Sequence, residues 1–291
     1  MNTSEHGTLG TTTYRTPAYF GLEDRWIETA PGEMTHYHEA GVGTPVLMIH
    51  GSGTGVSAAA NWWVTLPGLG ERVRGLALDL IGWGATVHPD DAAFGIREWS
   101  AHVLRFLDAL GIEKVWLVGN SLGGWIALHL AIEHPDRVLG VISMGTGGSA
   151  PTAAIKQHAD PDISTGGLKR AFQAFVTDST LLADEMIAAR QEIAEYEVGN
   201  GRLSQVIAAR ERDRSAVTLI REDLGRLTLP VLLVHGRQDV VIPPARTSEL
   251  IEWMPAADAV FLNGCGHWSQ IERAAAFNDL LSSFVTTGWR A

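Results

Sequence analysis

Cysteine is almost missing from this chain: Cys265 is the single one in 291 residues. No internal disulfide can form, so a disulfide-stapled scaffold is excluded and a reducing compartment fits. Basic residues are outnumbered, 22 Lys plus Arg against 33 Asp plus Glu, for a formal charge of −11. The broad positive face of a nucleic-acid binder is therefore not expected. No apolar run is long enough to span a bilayer, and Met1 to Phe20 lacks the apolar core of a secretion signal. Internal repeats and low-complexity tracts are also absent. What remains is ordinary globular composition, 45% apolar and 19% charged, which excludes a disordered chain. The expectation is a cytoplasmic protein, without membrane or nucleic-acid partners, built as one large domain or one domain with an insertion.

Short apolar runs recur along the chain. Trp26–Thr29 and Met34–His38 flank Pro31-Gly32 and read as a β-hairpin. Runs at 46–49, 73–78, 115–118, 138–144, 231–234 and 259–262 are continuous rather than alternating, as in strands buried on both faces. Helix-length segments such as Ile96–Leu110 and Leu122–His134 separate most of them. Alternation of strand and helix predicts right-handed crossovers, and hence an α/β fold with a mostly parallel central sheet and helices on both faces. The alternation stops between residues 150 and 225. There Leu168–Thr177, Leu181–Glu197 and Leu203–Leu224 have helical periodicity, with Asp178 or Ser179 as a cap. The predicted organisation is an N-terminal arm, 1–22, taken as loose; a core of 23–149 and 226–291; and a helical lid, 150–225. The charge run Arg210 to Arg214 reads as a solvated face of a lid helix.

Gly119-Asn120-Ser121-Leu122-Gly123 carries the strongest chemical signal. The pattern G-x-S-x-G is short, but here a strand-like run precedes it and a helix-like segment follows, the context of a nucleophile elbow. A sharp bend lifts the Ser121 hydroxyl clear of the sheet, and the glycines permit tight folding. The N-terminus of the following helix favours a developing anion. A serine hydroxyl needs a base. His267, in Gly264-Cys265-Gly266-His267-Trp268, follows the last strand-like run, and Asp239, in His235-Gly-Arg-Gln-Asp239, follows the run before it. The order Ser121, Asp239, His267 differs from the other serine-hydrolase orders and fits a strand-end triad. The oxyanion donors are expected to be the Leu122 N–H and one from Gly53 or Ser52, in the glycine-rich loop His50–Gly55. That loop has no lysine, so it is not a Walker phosphate loop. His36 and His38 share a strand face without an obvious third ligand, and solvent-facing positions explain them; no metal is expected. Cys265 reads as a small buried residue rather than a reactive thiol.

These stretches, together with Asn61-Trp62 at the end of the glycine-rich loop, Gly124 after the elbow, and Trp268-Ser-Gln-Ile-Glu272, resemble the meta-cleavage product hydrolases of the α/β-hydrolase superfamily. The resemblance spans roughly residues 25–285 and is loosest in the lid. It implies the α/β-hydrolase fold with a helical lid insertion. It also implies hydrolysis of a C–C bond in 2-hydroxy-6-oxohexa-2,4-dienoates from aromatic degradation, with no cofactor. The dienoate is a small anion, and a chain at −11 repels it at long range. Local donors are needed. Arg190 lies at the edge of the stripe Leu182, Met186, Ile193, and a charge pair there is worth about 4 kcal/mol before desolvation. The family places a substrate-binding arginine in the corresponding helix. Asn61 and Asn120 suit the enol and carboxylate end, and Trp268 suits a wall against the dienoate.

The resemblance further implies a sequence of steps: ketonisation by protonation at C5, activation of Ser121 or a water by His267, attack at C6, and expulsion of a 2-hydroxypenta-2,4-dienoate. It also suggests a homo-oligomer, dimer or higher. Where members taking large aryl ketones carry an aromatic residue two positions after the acid, this chain has Val241, which leaves the group beyond C6 open; Phe172 and Phe175 are candidates to line that pocket. Two alternatives keep the fold: an ester or lactone hydrolase with the same triad, and a ligand receptor with residual chemistry.

Overall fold

Continuous apolar runs make inner strands because each face of the sheet has its own cover. In the computed structural model, Leu47 and Ile49 of one strand face one apolar cluster, while Val46 and Met48 face the other; Leu233 and Leu232 divide in the same way three strands along. The structure describes residues 14–70, 72–148, 162–199 and 201–289. Among these, eight strands form one sheet: β1 Arg25–Ala30, β2 Glu33–Ala40, β3 Thr44–Ile49, β4 Val73–Leu78, β5 Val115–Asn120, β6 Val138–Met144, β7 Val231–Gly236 and β8 Ala257–Leu262. Their order is β1-β2-β4-β3-β5-β6-β7-β8. β1 and β2 form the hairpin predicted at Pro31-Gly32, β2 runs antiparallel to β4, and the remaining pairs are parallel.

The helices Ile96–Ala109, Leu122–Glu133 and Ala245–Trp253 contribute Trp99, Phe106, Ile126 and Leu250 to the cluster on one face. On the opposite face, Ala58–Trp62 and Ala274–Thr287 contribute Trp62, Phe277, Leu281 and Phe284. From β3 the chain turns one way to β4 and then crosses to β5 on the other side. The connections leaving β3 and β5 therefore diverge and open a crevice at the carboxyl ends of the strands, where open α/β sheets take their ligands. His50 and Ser121 stand at the two lips of that crevice.

Between β6 and β7 the described residues are helical: Thr165–Phe172, a short 3₁₀ turn Ser179–Leu181, Asp184–Gly199, Leu203–Ala216 and Arg221–Leu224. Residues 150–161 of the predicted lid lie outside the described residues. Two helix ends differ from the periodicity, each for a tertiary reason. The first helix stops at Phe172, and the Phe175 carbonyl instead accepts from the N–H groups of His267 (2.8 Å) and Trp268 (3.2 Å). The third helix breaks after Ala216, where the Val217 carbonyl is captured by the Trp125 indole N–H at 3.0 Å. Asp178 does cap, accepting from Thr180 N, but it caps the 3₁₀ turn. The arm is not loose over its described part. Phe20 is 3% exposed and packs with Ala59, Ala189 and Ile193; residues 1–13 lie outside the described residues.

The reading of His36 and His38 as solvent-facing is wrong. Both are 1% exposed, because β1 and the segment from Tyr14 to Asp24 cover that face of the hairpin. A third potential ligand is also present: Asp24 stands with the two imidazoles, ligand atoms within 4.8 Å of one another. The ring of His36 bridges two carboxylates, Nδ1 to Asp79 Oδ2 at 2.7 Å and Nε2 to Asp24 Oδ1 at 3.0 Å. Burial opposes its charge, but Asp79 and Asp24 raise its pKa to about 9. Burial likewise works against the Asp79 carboxylate, but His36 and surrounding donors hold it down at about 2. Asp79 also accepts from Ala58 N (2.6 Å) and Ala85 N (2.8 Å), so the ion pair anchors the start of the helix that bears Asn61.

An imidazolium raised from 6.5 to about 9 contributes stability that is fully present below about pH 6.5 and is lost as pH climbs through about 9. The melting temperature of the wild type is therefore expected to fall over that window by more than that of a His36→Asn variant. Parallel curves in a pH series of thermal melts would show that the pair carries no such linkage.

Candidate active site

Ser121 is held in a backbone conformation that few side chains adopt, φ 56° and ψ −111°. Such a residue costs on the order of 1–3 kcal/mol, and its surroundings must enforce it. Ser121 N donates to the Met144 carbonyl (2.8 Å), and the Ser121 carbonyl accepts from Gly147 N (2.9 Å) and Trp125 N (3.1 Å). Close approach does the rest. A Cβ at Gly119 would lie 2.2 Å from Gly123 C, and one at Gly123 would lie 2.1 Å from Ile49 O. Only glycine lets the helix Leu122–Glu133 begin so near β3 and β5. The bend, its strand and its helix fall where the sequence put them.

Asp239 follows β7 and is almost completely buried. Its Oδ1 accepts from Val241 N (2.8 Å) and Ile242 N (2.9 Å), and its Oδ2 lies 2.7 Å from His267 Nδ1. Burial alone would raise its pKa; His267 and His235 outweigh burial and hold the carboxyl well below the usual range. His235 escaped the sequence reading. Its Nε2 sits 3.2 Å from Asp239 Oδ2, while Nδ1 is 2.7 Å from Thr247 Oγ1. The His267 ring meets the edge of Phe175, with ring centres 5.4 Å apart. Ser121, Leu122, Ser52 and His267 line one narrow cleft, with a cavity volume of about 40 Å³.

The glycine-rich loop is fixed from below. His50 is fully buried, with Nδ1 2.7 Å from the Gly51 carbonyl and Nε2 accepting from Leu80 N at 3.0 Å. Ser52 reaches the cleft. Gly53, with φ 140°, is not among the residues that line it.

The residues expected at the dienoate end form a separate buried cluster beside the cleft. Asn61 Nδ2 is 3.5 Å from Asn120 Oδ1, and Asn120 Nδ2 donates to the His267 carbonyl at 3.3 Å. Arg190 is 0% exposed. Its guanidinium lies under Trp268, 4.3 Å from the ring centre, and 5.0 Å from that of Phe172. It donates to the carbonyls of Ala60 (2.6 Å) and Gly55 (3.2 Å) and to Met186 Sδ (3.2 Å). All three partners are neutral. Burial pulls its pKa down to about 9, which leaves it a cation at neutral pH. Glu197, on the same helix, accepts from Gly55 N at 2.9 Å, and burial keeps its carboxyl well above the ordinary range. Phe175 lines the cleft, whereas Phe172 packs on Trp268. Cys265 is buried, and burial pushes its thiol up to about 11, which suppresses the thiolate.

The charge run on the helix Leu203–Ala216 is only partly a solvated face. Arg210 is 8% exposed, donates to Ser52 Oγ at 3.0 Å, and lines the cleft together with Arg214. Nothing in the helical periodicity marked these two, because the helix is charged on several sides.

Comparison with known proteins decides the family. The alpha/beta hydrolase fold family matches residues 44–189, and a model of TAP-like proteins matches 195–290. A 2-hydroxymuconate semialdehyde hydrolase of Pseudomonas sp. is 37% identical over 88% of this chain and 92% of its own length. A 2-hydroxy-6-oxo-2,4-heptadienoate hydrolase of Pseudomonas putida is 34% identical over 88% of this chain and 94% of its own. The chain belongs to the meta-cleavage product hydrolases. A solved member of this family from Pseudomonas fluorescens IP01 superposes with a TM-score of 0.85 at 33% identity, covering 91% of this chain and 98% of that one. For the meta-cleavage product hydrolases as for this chain, the α/β-hydrolase fold holds, and the members named here are hydrolases of 2-hydroxy-6-oxo-dienoate-type compounds.

Proposed function

We propose that this chain hydrolyses the C5–C6 bond of a 2-hydroxy-6-oxohexa-2,4-dienoate produced by ring fission of an aromatic compound, with Ser121, His267 and Asp239 as its triad. One observation carries the reading beyond a plain serine hydrolase. Arg190 is a fully buried cation whose hydrogen bonds all run to neutral groups. A guanidinium has five N–H donors; three are engaged, and two remain for a carboxylate. A buried cation with no hydrogen-bonded partner of opposite charge among the described residues is costly, and an anionic substrate offsets that cost on binding.

Arg190, Asn61 and Asn120 hold the 2-hydroxy carboxylate end, and Trp268 walls the diene. The dienol takes a proton at C5 and becomes a 2,6-dioxo-3-enoate, an internal electron sink that needs no cofactor. His267 removes a proton from Ser121, or from a water beside it, and the oxygen adds to C6. The resulting oxyanion rests on the Leu122 N–H and on a donor of the loop at Ser52 or Gly53. Collapse breaks C5–C6; the electron pair passes from C5 through C4 and C3 to the C2 oxygen, which takes the proton held by His267, so that fragment leaves as 2-hydroxypenta-2,4-dienoate, and the C6 acyl group leaves as a carboxylic acid with the oxygen of one water. Asp239 fixes the His267 tautomer and stabilises the imidazolium. The helical segment before β7 serves as a lid, since its helices supply Arg190 and close over the cleft. A cytoplasmic setting, supported by the single buried thiol, and a homo-oligomeric assembly complete the proposal; a monomer mass by light scattering would remove the last part.

Ser121→Ala should lower turnover by on the order of 10⁴-fold or more yet still bind the dienoate, seen as a shift in its absorbance on mixing. A variant that kept a tenth of the rate would rule out Ser121 as nucleophile. Arg190→Gln should cut kcat/KM for the dienoate about 100-fold or more, mainly through KM, while a p-nitrophenyl ester loses far less. Equal losses on both substrates would mean that Arg190 only supports Gly55 and Ala60.

A further inference from the structure

Away from the cleft, the hairpin edge of the sheet carries a second cluster of coordinating side chains. His36 and His38 are two residues apart on β2, so both imidazoles project from one face of the strand. Asp24 directly precedes β1, whose first pair joins Arg25 to Tyr37. Its carboxylate and the two rings bring three potential ligand atoms within 4.8 Å of one another. Hydrogen bonds behind the rings fix which nitrogen each one offers. His36 Nδ1 is 2.7 Å from Asp79 Oδ2, and His38 Nδ1 is 2.8 Å from the Glu23 carbonyl. A carboxylate and a carbonyl only accept, so both Nδ1 atoms carry hydrogen and Nε2 is the coordinating atom of each ring. His36 Nε2 already reaches Asp24 Oδ1 at 3.0 Å. His38 Nε2 stands 3.5 Å from Thr16 Oγ1, and the Thr16 N–H donates to both oxygens of that same carboxylate, at 3.3 and 3.4 Å. An acceptor behind each imidazole is the outer-shell arrangement that orients metal-ligating histidines.

We propose that His36, His38 and Asp24 bind one divalent transition-metal ion, Zn²⁺ by preference, and that the ion fastens the segment from Tyr14 to Asp24 onto the sheet. Two imidazoles and one carboxylate with a water in fourth place form a donor set that suits zinc. The ion takes the place of the proton between His36 Nε2 and Asp24, and that proton leaves to water. With both rings neutral, Asp24 and Asp79 bring two negative charges to the cluster, which a divalent ion balances. Ligand bonds of about 2.0–2.2 Å set donor atoms roughly 3.3 Å apart, so the His36–Asp24 spacing needs little change. Asp24 also lines a cavity of about 540 Å³ with Tyr14, Glu23 and Trp26, which gives the ion a path in and its water a place. Asp79, behind His36, accepts from Ala58 N. The ion therefore ties together three pieces of chain: the N-terminal segment, the hairpin and the helix Ala58–Trp62. It takes no part in hydrolysis.

The test titrates Zn²⁺ into the chelator-treated full chain by calorimetry, with thermal melts alongside and Co²⁺ as a spectroscopic probe. The wild type should bind one equivalent, and at a hundredfold excess over Kd its melting temperature should rise by roughly 4 °C or more. Bound Co²⁺ should show the visible d–d absorption of four-coordinate geometry. Asp24→Asn, nearly isosteric and at the lip of the cavity, and His38→Gln should each weaken Zn²⁺ binding about tenfold or more and remove the rise in melting temperature. Dienoate hydrolysis by the metal-free Asp24→Asn variant should stay close to that of the wild type. Should His38→Gln fail to fold, Asp24→Asn decides together with X-ray absorption of the zinc-loaded wild type, where fewer than two imidazole ligands overturns the site. Zinc binding no tighter than millimolar overturns it as well. So does tight binding that the variants retain, for the ion then sits on other histidines, such as those around Asp239.

Discussion

Three backbones meet at one bend, and the rest of the site is arranged around it. β3, β5 and the helix after Ser121 approach so closely that a single methyl at Gly119 or Gly123 would collide with main-chain atoms. That contact turns the serine out of the sheet and aims a helix N-terminus at the space above it. It also brings the loop after β3 against the bend, with Gly51 beside Asn120 and Ser121. The Ser121 hydroxyl, the Leu122 N–H and Asn120 are thus positioned by packed strands and a helix start.

Charge is managed differently at the two ends of the catalytic line. Asp239 is surrounded by donors, two backbone N–H groups and two imidazoles, so a buried anion is well satisfied there. Arg190 has dipoles and aromatic faces but donates to no carboxylate among the described residues. The first arrangement holds the His267 ring against Asp239. The second leaves a buried positive charge without a hydrogen-bonded anion among the described residues. The His36–Asp79 pair is a third case, with both signs present and their joint effect mechanical: it secures the start of the helix bearing Asn61.

Much of this was legible in the sequence because local rules and tertiary demands agree. Continuous Val, Ile and Leu runs have one good environment, the interior of a covered parallel sheet, and G-x-S-x-G between strand and helix has few other uses. Where long-range contacts decide, the residues were silent. His235 gives no sign in sequence that it will share Asp239 with His267. Periodicity could not foresee that Phe175 would leave its helix to bond the His267 loop, nor that Arg210 would turn inward from a helix charged all round. His36 and His38 look like edge-strand positions until the chain between Tyr14 and Asp24 folds over them.

The peptide unit of Gly55 is gripped at both ends by one helix, its N–H by Glu197 and its carbonyl by Arg190, and a Cβ there would strike the Arg190 backbone at 2.6 Å. The glycine-rich loop and Asp184–Gly199 therefore behave as a single cassette. Grafting a foreign cap onto this scaffold would succeed only if the stretch from His50 to Asn61 travelled with it.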